Sequence, residues 1–367
     1  MVPEQYPGMG TLRFLLAFSV AYGHLAAPLR FPTDDIAVQS FFVISGFYMA
    51  LVLNEKYRPG SYWLFMSNRL LRLWPAYVVV LILSLAAADN WKPILALDWP
   101  SAAFFAASQL SIVGQDLYFF LSVGHDTLAF TADQIEAGAP LFRFAPIPQA
   151  WSLALEIYFY LLAPFLVRRG PIFIATLIAA SLLLRMALQA GFGLSDHRWS
   201  YRFFPSEMAL FLAGSLGYWL SAATTKTQRG RTLLLLLATA ALVFASLAIN
   251  QWDGVQRLAS LSLLAAIIVG VPWLFEQTKA FDIDRYIGEL SYPLYISHFL
   301  CGWLMLPNTY AAAYATLLLS LAASVVLYHL IDRPLDAWRQ IRLDRSQRWI
   351  APGRLTPSAQ TISGGAG

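Results

Sequence analysis

Long apolar stretches, separated by short polar ones, run along almost the whole chain. Ten of them are long enough to cross a bilayer, whose ~30 Å hydrocarbon core takes about 20 apolar residues in a helix. These stretches lie near residues 13–30, 36–54, 73–90, 150–167, 171–190, 203–221, 232–250, 257–275, 287–306 and 309–331. The pattern predicts an all-α fold, a polytopic membrane helical bundle with about ten transmembrane helices.

An eleventh stretch, residues 101–121, is ambiguous because Gln109, Gln115 and Asp116 interrupt it. Cytoplasmic loops of membrane proteins carry an excess of Lys and Arg. Ten spans with a cytoplasmic N-terminus place 17 of these residues inside and 6 outside, whereas an eleventh span gives 8 and 15. We therefore predict ten spans, with residues 91–149 as a long extracytoplasmic loop.

That topology also makes predictions for the loop and for both ends of the chain. Residues 101–121 lie in the membrane interface or re-enter the membrane, and residues 337–367 form a basic, disordered cytoplasmic tail. The N-terminus lacks the basic region and cleavage site of a signal peptide, so we expect the first span to be retained. No soluble domain is expected after the last span.

Composition supports the membrane class. The chain has 367 residues, of which 58% are hydrophobic and 13% charged, with a mean hydropathy of +0.56; soluble domains carry about 25% charged residues. The alternative, a solenoid of buried helices, fits poorly because the apolar runs are long and numerous. The net charge of +4 is spread along loops, so we predict no nucleic-acid partner. A single cysteine, Cys301, permits no intrachain disulfide and no Cys/His metal pattern, and we predict no metal site.

The first predicted span contains two residues that are costly in hydrocarbon, Arg13 and His24. They are 11 residues apart, so they share a helix face with an axial separation of ~16.5 Å. Arg13 then lies near the cytoplasmic boundary and His24 beyond the midplane. A snorkelling Arg and a His bonded to a neighbouring helix are the structural alternatives, but ionisable groups at depth usually mark function.

Two further segments place ionisable groups at or inside the membrane. Arg69 and Arg72, in SNRLLRLWPAY (67–77), share a face at the cytoplasmic mouth of the third span, with Pro75 in its first turn. They are either ordinary topology anchors or a clamp for phosphate, which guanidinium groups match. Glu156, in WSLALEIYFYLLAPF (151–165), lies five residues into its span and needs a partner or a proton.

Near the C-terminal end, GELSYPLYISHF (288–299) brings Ser291, Tyr295 and His298 onto one helix face, with His298 at a depth like that of His24. Ordinary hydrogen bonding between helices is the alternative.

Two other motifs concern backbone shape. Ser45-Gly46 in the second span predicts either close helix packing or a kink that opens a cavity. In HLIDRPLDAW (329–338), Asp332-Arg333-Pro334 predicts a helix stop with a local charge pair.

Taken in order, these motifs resemble one family, the acyltransferase-3 membrane acyltransferases. The matching pieces are Arg13 and His24 separated by ten residues, FFVISGF, RLLR with a following Pro, WSLALEIYFYLLAP, SYPLYISH and the I-D-R-P exit. The resemblance covers residues 11 to about 336. Asp332 stands where glutamate is more usual. Some members carry a fused extracytoplasmic hydrolase-like domain.

The resemblance implies an acyl-CoA-dependent O-acyltransferase of the bacterial inner membrane, with both termini cytoplasmic. It would move an acyl group, usually acetyl, from cytosolic acyl-CoA to a hydroxyl of a cell-envelope glycan or exported oligosaccharide. Carried over by position, His24 is the catalytic base, and Arg13, Arg69 and Arg72 bind the donor. By their chemistry, Glu156 or His298 can orient His24, and Tyr295 can donate to the oxyanion. Transfer is then direct or passes through an acyl-His24 intermediate.

Other functions stay open at this point. A transporter or flippase for a lipid-linked sugar would also need charged residues at the midplane, although no paired repeat is visible. A membrane scaffold explains neither His24 nor the arginines. A Cys301–His298 nucleophile is conceivable, but a lone buried thiol usually serves packing.

The predicted partners are acyl-CoA, a carbohydrate acceptor and membrane lipids. Loop 91–149 and residues 191–205 are aromatic and polar enough to contact sugar, with Asp196, His197 and Arg198 as candidate contacts. The acceptor hydroxyl, the length of the acyl group and the oligomeric state do not follow from the sequence.

Overall fold

The computed structural model describes residues 8–25, 32–124, 126–131, 139–194, 196–248, 254–306 and 309–349. Within them the chain is almost entirely helical. The α-helices are α1 (Gly10–Leu25), α2 (Asp34–Glu55), α3 (Tyr62–Ala87), α4 (Trp99–Ser111), α5 (Trp151–Leu166), α6 (Pro171–Phe192), α7 (Phe204–Ser221), α8 (Lys226–Ala248), α9 (Val255–Thr278), α10 (Asp282–Glu289), α11 (Ser291–Met305), α12 (Tyr310–Leu327) and α13 (Arg333–Trp349).

Seven helical segments are long and apolar enough to cross a membrane. They lie at Asp34–Glu55, Tyr62–Ala87, Pro148–Leu166, Pro171–Phe192, Lys226–Ala248, Val255–Thr278 and Tyr310–Ser346. The all-α, multi-pass membrane fold is therefore confirmed. The three other predicted spans are also helical, but α1 and α11 have only 16 and 15 residues, and α7 contains Glu207 with several Ser and Gly. The count of ten stays a prediction, and residues 26–30 of the first span lie outside the described residues.

Helices α2 and α7 form the centre of the bundle. Fifteen of the 22 residues of α2 are buried. A Cβ atom added to Gly46 of α2 would lie 1.7 Å from the Phe211 carbonyl oxygen of α7, and one added to Gly214 of α7 would lie 1.8 Å from the Val43 carbonyl oxygen of α2. The two backbones are thus in direct contact, as in small-residue helix crossings. This confirms close packing at Ser45-Gly46, and α2 runs through it unbroken.

Helix α3 begins 11 residues earlier than predicted, at Tyr62 instead of residue 73. Arg69 and Arg72 therefore lie inside the helix, with Arg72 ~15 Å along it. Pro75 is in the helix interior and not in the first turn. The polar residues before Leu73 belong to the helix because they have partners within the protein. Asn68, for example, donates to the Tyr57 hydroxyl at 2.9 Å.

The ambiguous stretch 101–121 does not cross the membrane as one helix. Helix α4 has 13 residues, a rise of ~20 Å, and it ends where Ile112 and Gly114 adopt left-handed φ values of 71° and 90°. Its last turn reaches the middle of α3, since Trp74 Nε1 donates to the Leu110 carbonyl at 2.8 Å and Tyr77 donates to the Gln109 carbonyl at 2.6 Å. Helix α4 therefore packs against the middle of α3, and its position relative to the membrane stays a prediction.

The chain returns from α4 through a 3₁₀ turn, Gln115–Phe119, whose polar side chains are bonded inside the protein. Gln115 donates to the Tyr77 hydroxyl at 2.7 Å, and Asp116 accepts from the Tyr158 hydroxyl at 2.8 Å. Irregular backbone at membrane depth is tolerated only when protein satisfies its polar groups. The residues that made the stretch ambiguous thus hold this segment in place.

A small antiparallel sheet follows the 3₁₀ turn. Strand β1 (Leu121–Val123) pairs with β2 (Leu128–Phe130), with Ser122 opposite Ala129, and with β3 (Ala139–Pro140) on its other edge. This sheet covers the end of the bundle where α5 begins.

Candidate active site

A pair of histidines lies where α1 contacts α11. His24 Nδ1 is 3.1 Å from His298 Nε2, and the two rings are nearly parallel, with centroids 5.2 Å apart. His298 is fully buried, and its Nδ1 lies 2.7 Å from the Tyr295 carbonyl oxygen. Because that carbonyl can only accept, we assign the proton of His298 to Nδ1. His298 Nε2 must then accept from His24 Nδ1, which leaves Nε2 of His24 as the basic nitrogen.

Asp34, the first residue of α2, lies on the other side of His24. Its Oδ2 is 3.9 Å from His24 Nε2, and the His24 side chain is 31% exposed. The approach depends on Gly23, where a Cβ atom would lie 2.2 Å from Asp34 Oδ1. A carboxylate at this distance can stabilise a positive charge that develops on the ring during proton transfer. The sequence prediction did not include Asp34. Its only signal was an acidic pair, Asp34-Asp35, directly before a span.

The two predicted partners of His24 lie in different surroundings. His298 contacts it directly, whereas Glu156 lies elsewhere, where its Oε1 accepts from Ser45 Oγ at 2.7 Å and from the Tyr160 hydroxyl. The structure places His298, and not Glu156, in contact with His24, and the role of each residue stays a prediction. Equal depth in the membrane did not make the two residues direct neighbours.

Tyr295 is on the same helix as His298, with ring centroids 6.1 Å apart. Its hydroxyl lies 2.7 Å from Ser152 Oγ and 3.3 Å from the Gln149 carbonyl oxygen. Gln149 in turn donates to the carbonyls of Tyr295 and Ile296. This network fixes the start of α5 against α11. The role of Tyr295 as an oxyanion donor stays a prediction.

A cavity of about 670 Å³ opens below Tyr295 and Ser152 and is lined by all three predicted donor-binding arginines. Seven basic and three acidic side chains line it. They are Arg13, Lys56, Arg69, Arg72, Arg285, Arg333, Arg339, Glu156, Glu289 and Asp336. A polar concave site with convergent charged groups is the usual form of a ligand site. The excess of positive charge fits an anionic ligand.

The three predicted arginines do not play equal parts in this cavity. Arg72 is held in two ion pairs, at 2.5 Å from Glu289 and 3.1 Å from Asp336. Arg13 and Arg69 instead lie over aromatic rings, at 5.9 Å from Tyr48 and 5.7 Å from Phe65. Neither Arg13 nor Arg69 forms an ion pair with the residues that the structure describes. Both Arg69 and Arg72 line the cavity, and their predicted role as a clamp for phosphate stays a prediction.

The predicted helix stop at Asp332-Arg333-Pro334 is wrong. A π-helical segment, Tyr328–Asp332, joins α12 to α13 without a break. Asp332 is buried, and the described residues show no ion pair between it and Arg333. The predicted disorder is also wrong for residues 337–349, which are helical; residues 350–367 lie outside the described residues. Helix α13 is held on α3 because Arg342 donates to Asn68 Oδ1 and Ser67 Oγ, at 3.1 and 2.9 Å.

The opposite end of the bundle carries the residues predicted to contact sugar. Arg198 is turned inward, where it donates to Asp196 and, at 3.4 Å, to the Phe119 carbonyl, so its guanidinium serves the structure. His197 is 44% exposed and lies 3.8 Å from Asp35, which forms an ion pair with Arg257. Of the three predicted contacts, Arg198 is buried, whereas the side chains of Asp196 and His197 are 41% and 44% exposed.

The sequence matches the family described as "Acyltransferase domain" over residues 6–329, nearly the whole chain. The chain belongs to this acyltransferase family. O-acetyltransferase OatA of Staphylococcus aureus (strain NCTC 8325 / PS 47) is 29% identical over 199 residues, which are 50% of this chain and 30% of OatA. An uncharacterized protein of Aquifex aeolicus (strain VF5) is 25% identical over 201 residues, 53% of this chain and 89% of that protein. No solved structure matches the acyltransferase.

Among the described residues of this acyltransferase, no group of three or more His, Cys, Asp or Glu side chains is placed to hold a metal ion. The histidine pair and the charged cavity are the two features from which we infer the function.

Proposed function

We propose that this membrane acyltransferase moves an acyl group, with acetyl as the expected one, from cytosolic acyl-CoA to a hydroxyl of a carbohydrate acceptor on the other side of the membrane. The observation that carries the proposal is the cavity, which extends from a cluster of basic residues to Tyr295 and Ser152. Tyr295 in turn adjoins the pair formed by His298 and His24. A charged donor and a base can thus share one site.

The donor would enter at the basic end of the cavity. Coenzyme A is an anion with several phosphates, and guanidinium groups bind phosphate oxygens through paired N–H donors. Arg13 and Arg69 support this role because their charges are not used in ion pairs among the described residues. Arg72, held by Glu289 and Asp336, would position the wall of the cavity. The rise from Arg13 to His24 along α1, ~16.5 Å, is a span that the pantetheine arm can follow.

His24 would act as general base at the other end. The acceptor hydroxyl attacks the thioester carbonyl carbon while His24 Nε2 takes its proton, a role that contributes about 10²- to 10⁴-fold. The carbon–sulfur bond then breaks, the ester is formed, and the departing thiolate of CoA takes the proton from the imidazolium. Asp34, 3.9 Å away, would stabilise the charged ring, and His298 would hold it in the required tautomer.

The test uses the purified protein in nanodiscs with acyl-CoA carrying a labelled acyl group and glycans from the native host as acceptors. We expect label in an ester that mild alkali releases, and His24→Ala should reduce transfer about 100-fold or more. Cys301→Ala is the matched control. Cys301 is a buried residue of α11, three positions from His298, and its removal should leave the rate unchanged.

Two results would contradict the proposal. Full activity of His24→Ala would remove this residue from the chemistry. Absence of transfer from any acyl-CoA, together with reduced glycan export in a deletion strain, would favour the transporter.

A further inference from the structure

Arg202 is held in a cage of aromatic rings at the end of the bundle opposite the donor cavity. It closes the π-helical segment Arg198–Arg202, directly before α7. Its guanidinium carbon lies 3.6 Å from the centre of the Phe119 ring, 4.7 Å from Trp151 and 5.3 Å from Tyr201. Such contacts use the face of the guanidinium and leave its N–H groups, which lie in the plane, for other partners.

Those N–H groups have no acceptor in the part of the chain that the structure describes. Arg202 forms neither an ion pair nor a hydrogen bond there, unlike its neighbours. Arg198, four residues earlier, binds Asp196, and Arg257 binds Asp35. Burial lowers the pKa of Arg202 to about 10, so the side chain is still charged at neutral pH. Donors left unused by the protein are satisfied either by water or by a ligand, so this charge is open to an anionic partner.

The cage is connected to the histidine pair by a short series of contacts. Trp151 of the cage is followed in α5 by Ser152, whose hydroxyl is 2.7 Å from that of Tyr295. The Tyr295 ring adjoins His298, which holds His24. On its outer side the cage meets exposed His197, whose ring centre is 4.8 Å from that of Tyr201. Arg202 is thus connected to the histidine pair through Trp151, Ser152 and Tyr295.

We propose that Arg202 and its aromatic cage bind an anionic group, a carboxylate or a phosphate, carried by the acceptor. This inference rests on the proposed function and narrows it, since the acceptor class becomes acidic glycans, such as those with uronate or phosphate substituents. The aromatic walls limit the orientations of the guanidinium, which favours a paired, charge-assisted bond to an oxyanion.

Binding in the absence of donor tests the subsite separately from catalysis. Three matched oligosaccharides, one neutral, one with a uronate and one with a phosphate, are titrated calorimetrically into the full-length protein in nanodiscs. We expect the wild type to bind one or both anionic ligands at least 10-fold more tightly than the neutral one, and their order identifies the anion. Arg202→Met, which keeps the bulk within the cage, should bring the ratio close to one.

Two further variants make the result specific. Arg202→Lys keeps the charge but not the fork of donors, so it should retain part of the preference. This variant also answers the question if Arg202→Met does not fold. Arg143→Gln removes an exposed arginine of the same extracytoplasmic region and should leave the ratio unchanged.

The inference is overturned if the wild type binds the three ligands equally or not at all, or if Arg202→Met keeps the preference. Its failure is distinct from failure of the proposed function. Charge-selective binding without acyl transfer would refute the transferase, whereas transfer with no preference for anionic acceptors would refute the role of Arg202.

Discussion

Replacement of His298 tests how the histidine pair works. His24 donates to His298 across 3.1 Å, and His298 is fully buried. In His298→Leu the Nδ1–H of His24 has no acceptor, whereas in His298→Gln the amide oxygen can take its place. This hydrogen bond is stronger when His24 carries the transferred proton. Its removal therefore raises the free energy of the transition state more than that of the ground state. A hydrogen bond to a charged group is worth about 1.5–3 kcal/mol.

That energy corresponds to a fall in kcat of about 10- to 150-fold for His298→Leu, at 1.36 kcal/mol for each factor of ten. We expect His298→Gln to retain kcat within about fivefold of the wild type. The KM for acyl-CoA should be unchanged in both variants, because the basic residues of the cavity are untouched. Steady-state kinetics in nanodiscs, with thermal unfolding as the check on folding, gives both parameters. Equal losses in the two variants, or a normal kcat in His298→Leu, would refute positioning through this hydrogen bond.

Two more predictions concern the surroundings of the site. In Gly23→Ala the new Cβ would lie 2.2 Å from Asp34 Oδ1, so the carboxylate should be displaced. We expect kcat to fall about fivefold, which corresponds to the loss of one charge pair at about 4 Å in water. Gly191→Ala, where the space is open, is the control. Calorimetry with CoA should show a roughly tenfold weaker Kd for Arg69→Ala, while Arg72→Ala should mainly lower the unfolding temperature by breaking two ion pairs. Identical profiles for the two arginine variants would contradict this division.

Much of the bundle follows from hydrophobic pattern alone, but the start of α3 does not. Residues 62–72 contain Ser67, Asn68, Arg69 and Arg72, which dilute the apolar signal below that of a span. They remain helical because protein, not lipid, surrounds them, as the bonds from α13 to Asn68 show. Prediction from the hydrophobic pattern treats each helix face as exposed to lipid or water. It therefore does not detect a polar face that packs against another helix.

The site was predictable by depth but not by direction around the bundle. The periodicity of α1 and α11 put His24 and His298 at similar depths, and the structure brings them together. Glu156 was placed at the same depth and yet contacts Ser45 instead. Which neighbour a side chain meets depends on the arrangement of helices, which one sequence does not determine. Asp34 was missed for the same reason, since its role comes from a tertiary contact with Gly23.

The glycine crossing between α2 and α7 has a consequence for selectivity. Helix α2 carries Asp34 beside the base and Ser45 beside the donor cavity, separated by a rise of ~16.5 Å. Helix α7 begins two residues after Arg202. Because the two backbones touch at Gly46, we expect α2 and α7 to move as one unit and the three proposed subsites to keep a fixed spacing. An enzyme built in this way would select its substrates by length, since a molecule whose reactive atom does not reach His24 would not react.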